Sequence, residues 1–325
     1  MRSLLLSLLI LLPQLAPAAP PDRAALLKKM EQAMGPLPGD DRKVPLDLKV
    51  LSTEKLDGYT RQYITYAAEK GDWVPAWLLI PTSAGKHPAV LCLHQTTPIG
   101  KNEPVGFGTF DSKRQALDLV LRGYVTLAPD YPSFGDYAYD FAAMYAAGTF
   151  QSGTMKAIWN NMRAVDLLQS LPEVDGTRLG VIGHSLGGHN SLFTAAFDER
   201  IKVAVSSCGF NSFHKYMGGN LKGWTSDRYM PRIAAVYDND PNKVPFDFDD
   251  VLLAICPRAV FAMSPLRDHN FEVSGVDDVI AKVAPVYKEL GVAERLKVVH
   301  PDAGHEWPEP ERMAAYEFID RWLKN

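Results

Sequence analysis

Residues 179–188 read LGVIGHSLGG, and this stretch decides the fold that we expect for the chain. Its first four residues form an apolar run that is typical of a buried central strand. The next five match G-x-S-x-G and carry Ser185 between Gly183 and Gly187. We expect a helix over residues 190–197, and a strand, a sharp turn and a helix in this order present a serine at the top of a sheet. The pattern therefore predicts that Ser185 is a nucleophile, although glycine-rich turns with an incidental serine match it too.

Strands and helices alternate around this stretch. Further short apolar strands are predicted at residues 89–93, 124–128, 202–206, 259–264 and 296–299. Helices are predicted at residues 22–34, 113–122, 155–171, 277–290 and 309–323, and the one at 155–171 is long and amphipathic. This alternation indicates βαβ units and an α/β fold whose mostly parallel, doubly wound sheet has helices on both faces.

The domain organisation follows from the same patterns. Two β-type runs at residues 59–67 and 73–80, joined by a turn signal, predict an antiparallel hairpin at the edge of the sheet. We expect an N-terminal helix and lead-in over residues 19–58 and one catalytic domain over residues 59–325.

The composition is that of a soluble globular protein. Of the 325 residues, 46% are hydrophobic and 22% are charged, and the net charge of −4 gives no basic surface for nucleic acid. Cys92, Cys208 and Cys256 each lie in or beside an apolar run, so we expect buried thiols.

The first 18 residues have the pattern of a secretory signal peptide. Arg2 is followed by a run over residues 4–12 that is apolar apart from Ser7, and Ala-Pro-Ala at 16–18 supplies a cleavage site. The run is too short for a stable membrane anchor, and a buried N-terminal helix is the alternative. We expect cleavage after Ala18 and a secreted or periplasmic protein.

Two long connections interrupt the alternation, at residues 131–152 and 209–250, and both are rich in aromatic residues. Long connections inside a compact domain are usually functional or mobile. Their aromatic side chains could form the wall of a substrate pocket, or they could simply pack onto the surface of the domain.

A serine needs a base that removes its proton and a third group that orients the base. In a doubly wound sheet these partners come from loops at the carboxyl ends of later strands. Asp268 follows the strand at residues 259–264, and His305 follows the strand at residues 296–299. The order Ser185, Asp268, His305 is the order expected of this fold.

Other residues could compete for these two roles. The alternative histidines are His184, His189 and His300, and the alternative acids are Asp130 and Asp302. His184 and His189 are too close to the serine in sequence to present a ring nitrogen to it, and Asp130 is expected to hold a loop in place.

The loop after the strand at residues 89–93 is expected to complete an oxyanion hole. Two backbone N–H groups commonly bind the developing negative charge, one of them from the residue after the nucleophile. We assign these donors to Leu186 and Thr96, with Gln95 as a neighbour that could replace Thr96. A purely structural role for this loop is the alternative.

The runs GHSLGG, LCLHQTTPIG and TLAPDYPSFGDY, with Asp268 and His305 after them, resemble the dienelactone hydrolase-like and acetyl xylan esterase-like branch of the α/β-hydrolase superfamily. The resemblance covers residues 59–323. It implies the α/β-hydrolase fold with about eight strands, the first of them antiparallel, a serine esterase mechanism, and no metal or organic cofactor. Two features differ, because dienelactone hydrolases carry a cysteine nucleophile and a glutamate where this chain has Ser185 and Gln95.

The sequence thus predicts an exported carboxylic-ester hydrolase. Its substrate would be a small-molecule or polysaccharide-linked ester, for example an acyl or aryl ester of a carbohydrate. A prolyl oligopeptidase-like peptidase would share the triad, but the roughly forty residues before the first strand are too few for a propeller. A binding protein that has lost catalysis is the third hypothesis, and an intact Ser, Asp and His in the expected order disfavours it.

Overall fold

The computed structural model describes residues 19–324 and contains one mixed β-sheet. Its strands are β1 (Lys49–Leu56), β2 (Tyr59–Glu69), β3 (Asp72–Pro81), β4 (His87–Leu93), β5 (Val125–Pro129), β6 (Val174–His184), β7 (Ile201–Ser207), β8 (Ala259–Met263) and β9 (Leu296–Val299). Within the described residues the order across the sheet is β1-β2-β3-β5-β4-β6-β7-β8-β9. The pairs from β1 to β5 are antiparallel, and every pair from β5 through β4 to β9 is parallel. The α/β-hydrolase architecture expected from the sequence is confirmed.

Helices cover both faces of the sheet. They are α1 (Arg23–Met34), α2 (Gln115–Leu121), α3 (Phe141–Ala146), α4 (Gly153–Ser170), α5 (Leu186–Phe197), α6 (Arg232–Ala235), α7 (Phe248–Ile255), α8 (Val273–Glu289) and α9 (Glu309–Leu323). Two hydrophobic clusters separate the helices from the sheet. Helices α1, α4, α5, α7 and α8 contribute to one cluster, and α2 and α9 contribute to the other.

Side chains of the central strands alternate between these two clusters. In β4, Leu91 belongs to the first cluster and Val90 and Cys92 to the second. In β6, Val181 and Ile182 divide in the same way. A strand buried on both faces needs apolar residues at consecutive positions, which is why these strands are continuous apolar runs in the sequence.

The antiparallel edge differs from the prediction. The hairpin of β2 and β3 was expected at the edge of the sheet, and this is wrong because β1 pairs antiparallel to β2 on its outer side. The sheet therefore has nine strands within the described residues, one more than expected. All eight residues of β1 are exposed, so its sequence KVLSTEKL carries no burial pattern that could reveal a strand.

The long connections contain helices that the sequence did not indicate. Helix α7 lies at the end of the 209–250 connection and continues past it. Asp247 caps its first turn, with Asp250 completing a capping box. Its eight residues are too few for a secure period of 3.6 in the sequence.

The N-terminal helix α1 begins after Asp22, whose carboxylate accepts the Ala25 N–H at 3.1 Å. The signal-peptide assignment falls on residues 1–18, which lie outside the described residues. Among residues 19–324, no helix is long and apolar enough to cross a membrane.

Candidate active site

Ser185 occupies a strained turn between a central strand and a helix. Strand β6 ends at His184, and α5 begins at Leu186. Ser185 has φ 54° and ψ −116°, a conformation that non-glycine residues rarely adopt. The turn is held by the Ser185 N–H, which donates to the Ser207 carbonyl at 2.8 Å, and by the Gly188 N–H, which donates to the Ser185 carbonyl at 2.8 Å. Ser185 thus lies directly after the carboxyl end of β6.

The two glycines of the motif make this turn possible because backbone segments approach them closely. A Cβ at Gly183 would lie less than 3.0 Å from the backbone of Gly187. A Cβ at Gly187 would lie less than 3.0 Å from the carbonyl oxygen of Leu93, the last residue of β4. Neither neighbour is a flexible side chain, so both positions require glycine.

The structure brings Ser185, His305 and Asp268 together in one chain of contacts. His305 Nε2 lies 2.9 Å from Ser185 Oγ, and His305 Nδ1 lies 2.9 Å from Asp268 Oδ2. With the ring proton on Nδ1, that N–H donates to the carboxylate and leaves Nε2 free to accept the serine hydroxyl proton. This is the geometry that a nucleophile, a base and an orienting acid require.

Asp268 is fixed by the loop that follows β8. Its Oδ1 accepts backbone N–H groups from Asn270 at 2.8 Å and from Phe271 at 3.1 Å. Burial raises the pKa of Asp268, but the hydrogen bond and charge of His305 together with these two N–H groups outweigh burial. The pKa of Asp268 therefore lies below its usual value, and the side chain is an anion at neutral pH.

Two of the alternative residues lie elsewhere. His300 Nδ1 donates to the Ser264 carbonyl at 2.7 Å, and its Nε2 lies 3.3 Å from Asp277. Asp302 is exposed and forms an ion pair with Arg267 at 2.6 Å. Neither contacts Ser185, so both fit structural or surface roles.

The two histidines beside Ser185, His184 and His189, are buried and uncharged. His184 Nδ1 lies 2.8 Å from Ser207 Oγ, and the His184 ring packs against His305 with 5.0 Å between ring centroids. Burial lowers the pKa of His184 well below its usual value, and burial lowers the pKa of His189 to about 3. A neutral His184 supports the His305 ring without repelling the positive charge that a catalytic base acquires.

Asp130 lies at the end of β5 and organises the neighbouring loop. Its carboxylate accepts the Lys101 N–H at 2.7 Å, the Lys101 ammonium at 3.1 Å and the Asp136 N–H at 2.9 Å. Burial raises the pKa of Asp130, while Lys101 and His94 oppose the increase. Asp130 has the environment of a structural carboxylate that fixes this loop.

The loop after β4 lies beside the serine. His94 donates from Nδ1 to the Gln95 carbonyl at 2.6 Å and accepts the Tyr131 N–H on Nε2 at 2.9 Å. Thr96 and Leu186 both line a small cavity together with Ser185. The Leu186 N–H belongs to the first turn of α5, where backbone N–H groups have no partner inside the helix. An oxyanion at this place would meet both the helix terminus and the loop.

Two cavities open at Ser185. One has a volume of about 830 Å³, and its walls include His305, Lys113 and Trp307. The other has a volume of about 70 Å³, and its walls include Trp224 and Tyr229. The smaller cavity is completed by Thr96, Leu186, His189, Tyr216, Gly223, Asn270 and Phe271.

The aromatic residues of the two long connections divide between core and site. In the 131–152 connection, Tyr137 and Phe150 are buried in the hydrophobic core. In the 209–250 connection, Tyr216, Trp224 and Tyr229 reach the small cavity beside the serine. These two residues of the first connection therefore pack against the domain, and these three of the second connection line a pocket.

Two groups, Cys208 and Lys113, lie near the site although their places there were not predicted from the sequence. The thiol of Cys208 donates to the Glu306 carbonyl at 3.3 Å, and its Sγ lies within 4.8 Å of ligand atoms of Asp268 and His305. Burial, reinforced by the negative charge of Asp268, raises the pKa of Cys208, so this thiol is uncharged. Burial also lowers the pKa of Lys113 to about 8. An isolated cysteine or lysine gives no sequence signal that would mark either group.

Comparisons with known proteins agree with the fold. A family model described as glucuronyl esterase from fungi matches residues 136–291. The protein YtaP of Bacillus subtilis (strain 168), which is named as a hydrolase, is 28% identical over 316 residues, covering 93% of this chain and 100% of YtaP. The acetyl esterase Axe7A of Xylanibacter ruminicola is 27% identical over 186 residues, covering 51% of this chain and 40% of Axe7A.

A solved structure of a CE15 glucuronoyl esterase from Teredinibacter turnerae T7901 superposes with a TM-score of 0.69. It is 18% identical, and the match covers 92% of this chain and 84% of that one. This likeness concerns the fold, whereas the family model and the relatives are similar in sequence to this chain. Taken together, these findings show an α/β-hydrolase fold and an ester-bond hydrolase whose sequence is similar to glucuronyl and acetyl esterases.

Proposed function

We propose that the protein is an exported serine carboxylesterase that cleaves acyl esters of carbohydrates through an acyl-enzyme. The observation that carries the proposal is the continuous set of contacts from Ser185 Oγ through the His305 ring to the Asp268 carboxylate, at 2.9 Å for each contact. It lies at a strained turn that opens into two cavities.

In the proposed mechanism, Ser185 attacks the ester carbonyl while His305 Nε2 takes the hydroxyl proton. Asp268 holds the ring and stabilises its positive charge. The N–H groups of Leu186 and Thr96 bind the tetrahedral oxyanion, and His305 then protonates the leaving alcohol. A water molecule activated by His305 attacks the acyl-enzyme and releases the acid.

The carbohydrate part of the proposal rests on the relatives. The matching family model is named for glucuronyl esterases, which supports a sugar-derived ester without fixing the sugar as its alcohol, and Axe7A, named an acetyl esterase, supports an acyl ester. The export part rests on the sequence pattern of residues 1–18. N-terminal sequencing of protein recovered from the periplasm or the medium tests it, and we expect the first residue to be Ala19.

Hydrolysis of p-nitrophenyl acetate by the protein and by Ser185→Ala tests the catalytic proposal. We expect Ser185→Ala to lower the rate of ester hydrolysis about 10⁵–10⁶-fold. His300→Ala is the histidine control, and it should keep the parent rate. Peptide anilides assayed in parallel test the peptidase alternative. If the protein cleaved anilides and not esters, the esterase proposal would be wrong, and if it cleaved neither, a binding role would replace catalysis.

A further inference from the structure

The cavities on the two sides of Ser185 have different walls. The 830 Å³ cavity is bounded by His305 and by Glu306 and Trp307, which follow it in sequence. The 70 Å³ cavity is bounded by aromatic residues of the 209–250 connection and does not have His305 among its walls. The proposed base therefore faces only one of the two cavities.

This asymmetry fixes the direction in which an ester must bind. The base has to reach the leaving oxygen within hydrogen-bond distance in order to protonate it. The alcohol part of the ester must then lie on the His305 side, in the larger cavity. The acyl part points the other way, past Leu186 into the smaller cavity.

The volume of the smaller cavity limits the acyl group. A cavity of about 150 Å³ in another protein holds benzene, which has six carbon atoms. The 70 Å³ available beside Trp224 is about half of that, which leaves room for two or three carbon atoms. A uronate ring, which a uronoyl ester would have to place on this side, is far too large.

Tyr229 forms the boundary of this cavity. It lines the 70 Å³ cavity on one side and a surface groove of about 670 Å³ on the other. Its ring packs edge-on against His189, with 5.8 Å between centroids, and against Trp224 at 6.3 Å. Tyr229 is half-buried, whereas Trp224 is buried among other aromatic residues, so Tyr229 is the wall residue that can be removed with less loss of packing.

We propose that the 70 Å³ cavity is an acyl-binding subsite for acetyl-sized groups, closed by Tyr229, and that the substrate is a short-chain acyl ester of a bulky alcohol. This inference rests on the proposed esterase function. It selects carbohydrate esters in which the sugar is the alcohol and a short acyl group is the acid. A uronate ester, in which the sugar is the acid, would have to place its ring in this small cavity, so we expect the protein to cleave it far more slowly.

Kinetics with p-nitrophenyl acetate, propionate, butanoate, hexanoate and octanoate test the size limit. We expect kcat/KM to fall at least about 100-fold between acetate and hexanoate, since a methylene that does not fit a pocket is worth about 10–200-fold. Equal rates for acetate and octanoate would overturn the inference.

The variant Tyr229→Ala tests the boundary. It joins the small cavity to the neighbouring groove, so we expect the hexanoate-to-acetate ratio of kcat/KM to rise at least about tenfold. Phe110→Ala is the matched control, because Phe110 is an exposed aromatic wall residue of the larger cavity. It should leave this ratio at the parent value, whatever its effect on the overall rate. If both variants changed the ratio equally, Tyr229 would not be the boundary.

Two carbohydrate esters of opposite polarity complete the test. An acetylated xyloside places acetyl in the small cavity, whereas a methyl uronate would place the sugar there. We expect cleavage of the first and at least about 100-fold slower cleavage of the second. Faster cleavage of the uronate, with activity abolished by Ser185→Ala, would overturn this inference and leave the serine esterase intact. Acetate cleavage that survives in Ser185→Ala would instead overturn the proposed function itself.

Discussion

The α-carbon of Gly187 packs against the backbone carbonyl of Leu93, so closely that a Cβ at position 187 would lie less than 3.0 Å from that oxygen. This contact joins the turn that carries Ser185 to the end of β4. The loop that carries Thr96 starts one residue later. The position of Ser185 relative to one of its proposed oxyanion donors therefore depends on the absence of a single methyl group.

Gly187→Ala should destabilise the protein and displace the turn. The Cβ would clash with the backbone of Leu93 and His94, which cannot move aside as a flexible side chain can. We therefore expect a loss of about 3 kcal/mol in the free energy of unfolding and a fall of at least about 100-fold in esterase kcat/KM. Gly176→Ala is the control, because a Cβ there would lie 3.3 Å from the flexible side chain of Gln169. Urea unfolding and p-nitrophenyl acetate kinetics measure both effects. Parent-like values for Gly187→Ala would show that the turn tolerates a side chain.

Asp268→Asn should leave the fold intact and lower kcat by about 10³–10⁴-fold. An amide would hold the wrong tautomer of His305 and could not stabilise its positive charge. Asp302→Asn removes the exposed alternative acid, and it should keep the parent rate. Steady-state kinetics and circular dichroism check the pair. A large loss of kcat in Asp302→Asn, with Asp268→Asn active, would reverse the assignment.

Acid should destabilise the protein below about pH 6.5. Burial lowers the folded-state pKa of His94, His184 and His189 from the usual 6.5. In this pH range the histidines bind protons in the unfolded chain and remain neutral in the folded protein. The free energy of unfolding therefore decreases as the pH falls from 6.5 towards the folded-state pKa values. Each histidine contributes up to about 1.4 kcal/mol per pH unit in that range.

His189→Phe should reduce the loss of stability at low pH, because it removes one of these three buried histidines. We expect a smaller change in the free energy of unfolding between pH 7 and pH 5 in the variant than in the parent. Urea unfolding at both pH values measures the difference. Parallel curves for the two proteins would show that His189 is not a source of the acid sensitivity.

Asp130→Ala should lower the free energy of unfolding by about 3 kcal/mol. The change removes one of the two carboxylate partners of the buried Lys101 ammonium and the acceptor of two backbone N–H groups. Asp238→Ala breaks an exposed ion pair with Lys243 and serves as the control, with an unfolding midpoint close to that of the parent. Equal midpoints for the two variants would contradict a structural role for Asp130.

The parallel half of the sheet was predictable because its strands are buried on both faces. Burial forces consecutive apolar residues into β4 and β6, and helices such as α8 bury one stripe of apolar residues and expose the rest. Strand β1 was missed for the opposite reason. Its residues are exposed, so its strand conformation comes from pairing with β2, which leaves no pattern in its own sequence.

The sequence by itself determined the strand-turn-helix that carries Ser185 and the two strand ends from which Asp268 and His305 project. These features are local, because glycine spacing and apolar runs encode them within a few residues. Only the tertiary structure decided the sizes and the walls of the two cavities beside Ser185. The small cavity is made by Thr96, Tyr229 and Phe271, which come from three distant segments. Its volume depends on how their side chains pack against one another, and no single segment of the sequence specifies that packing.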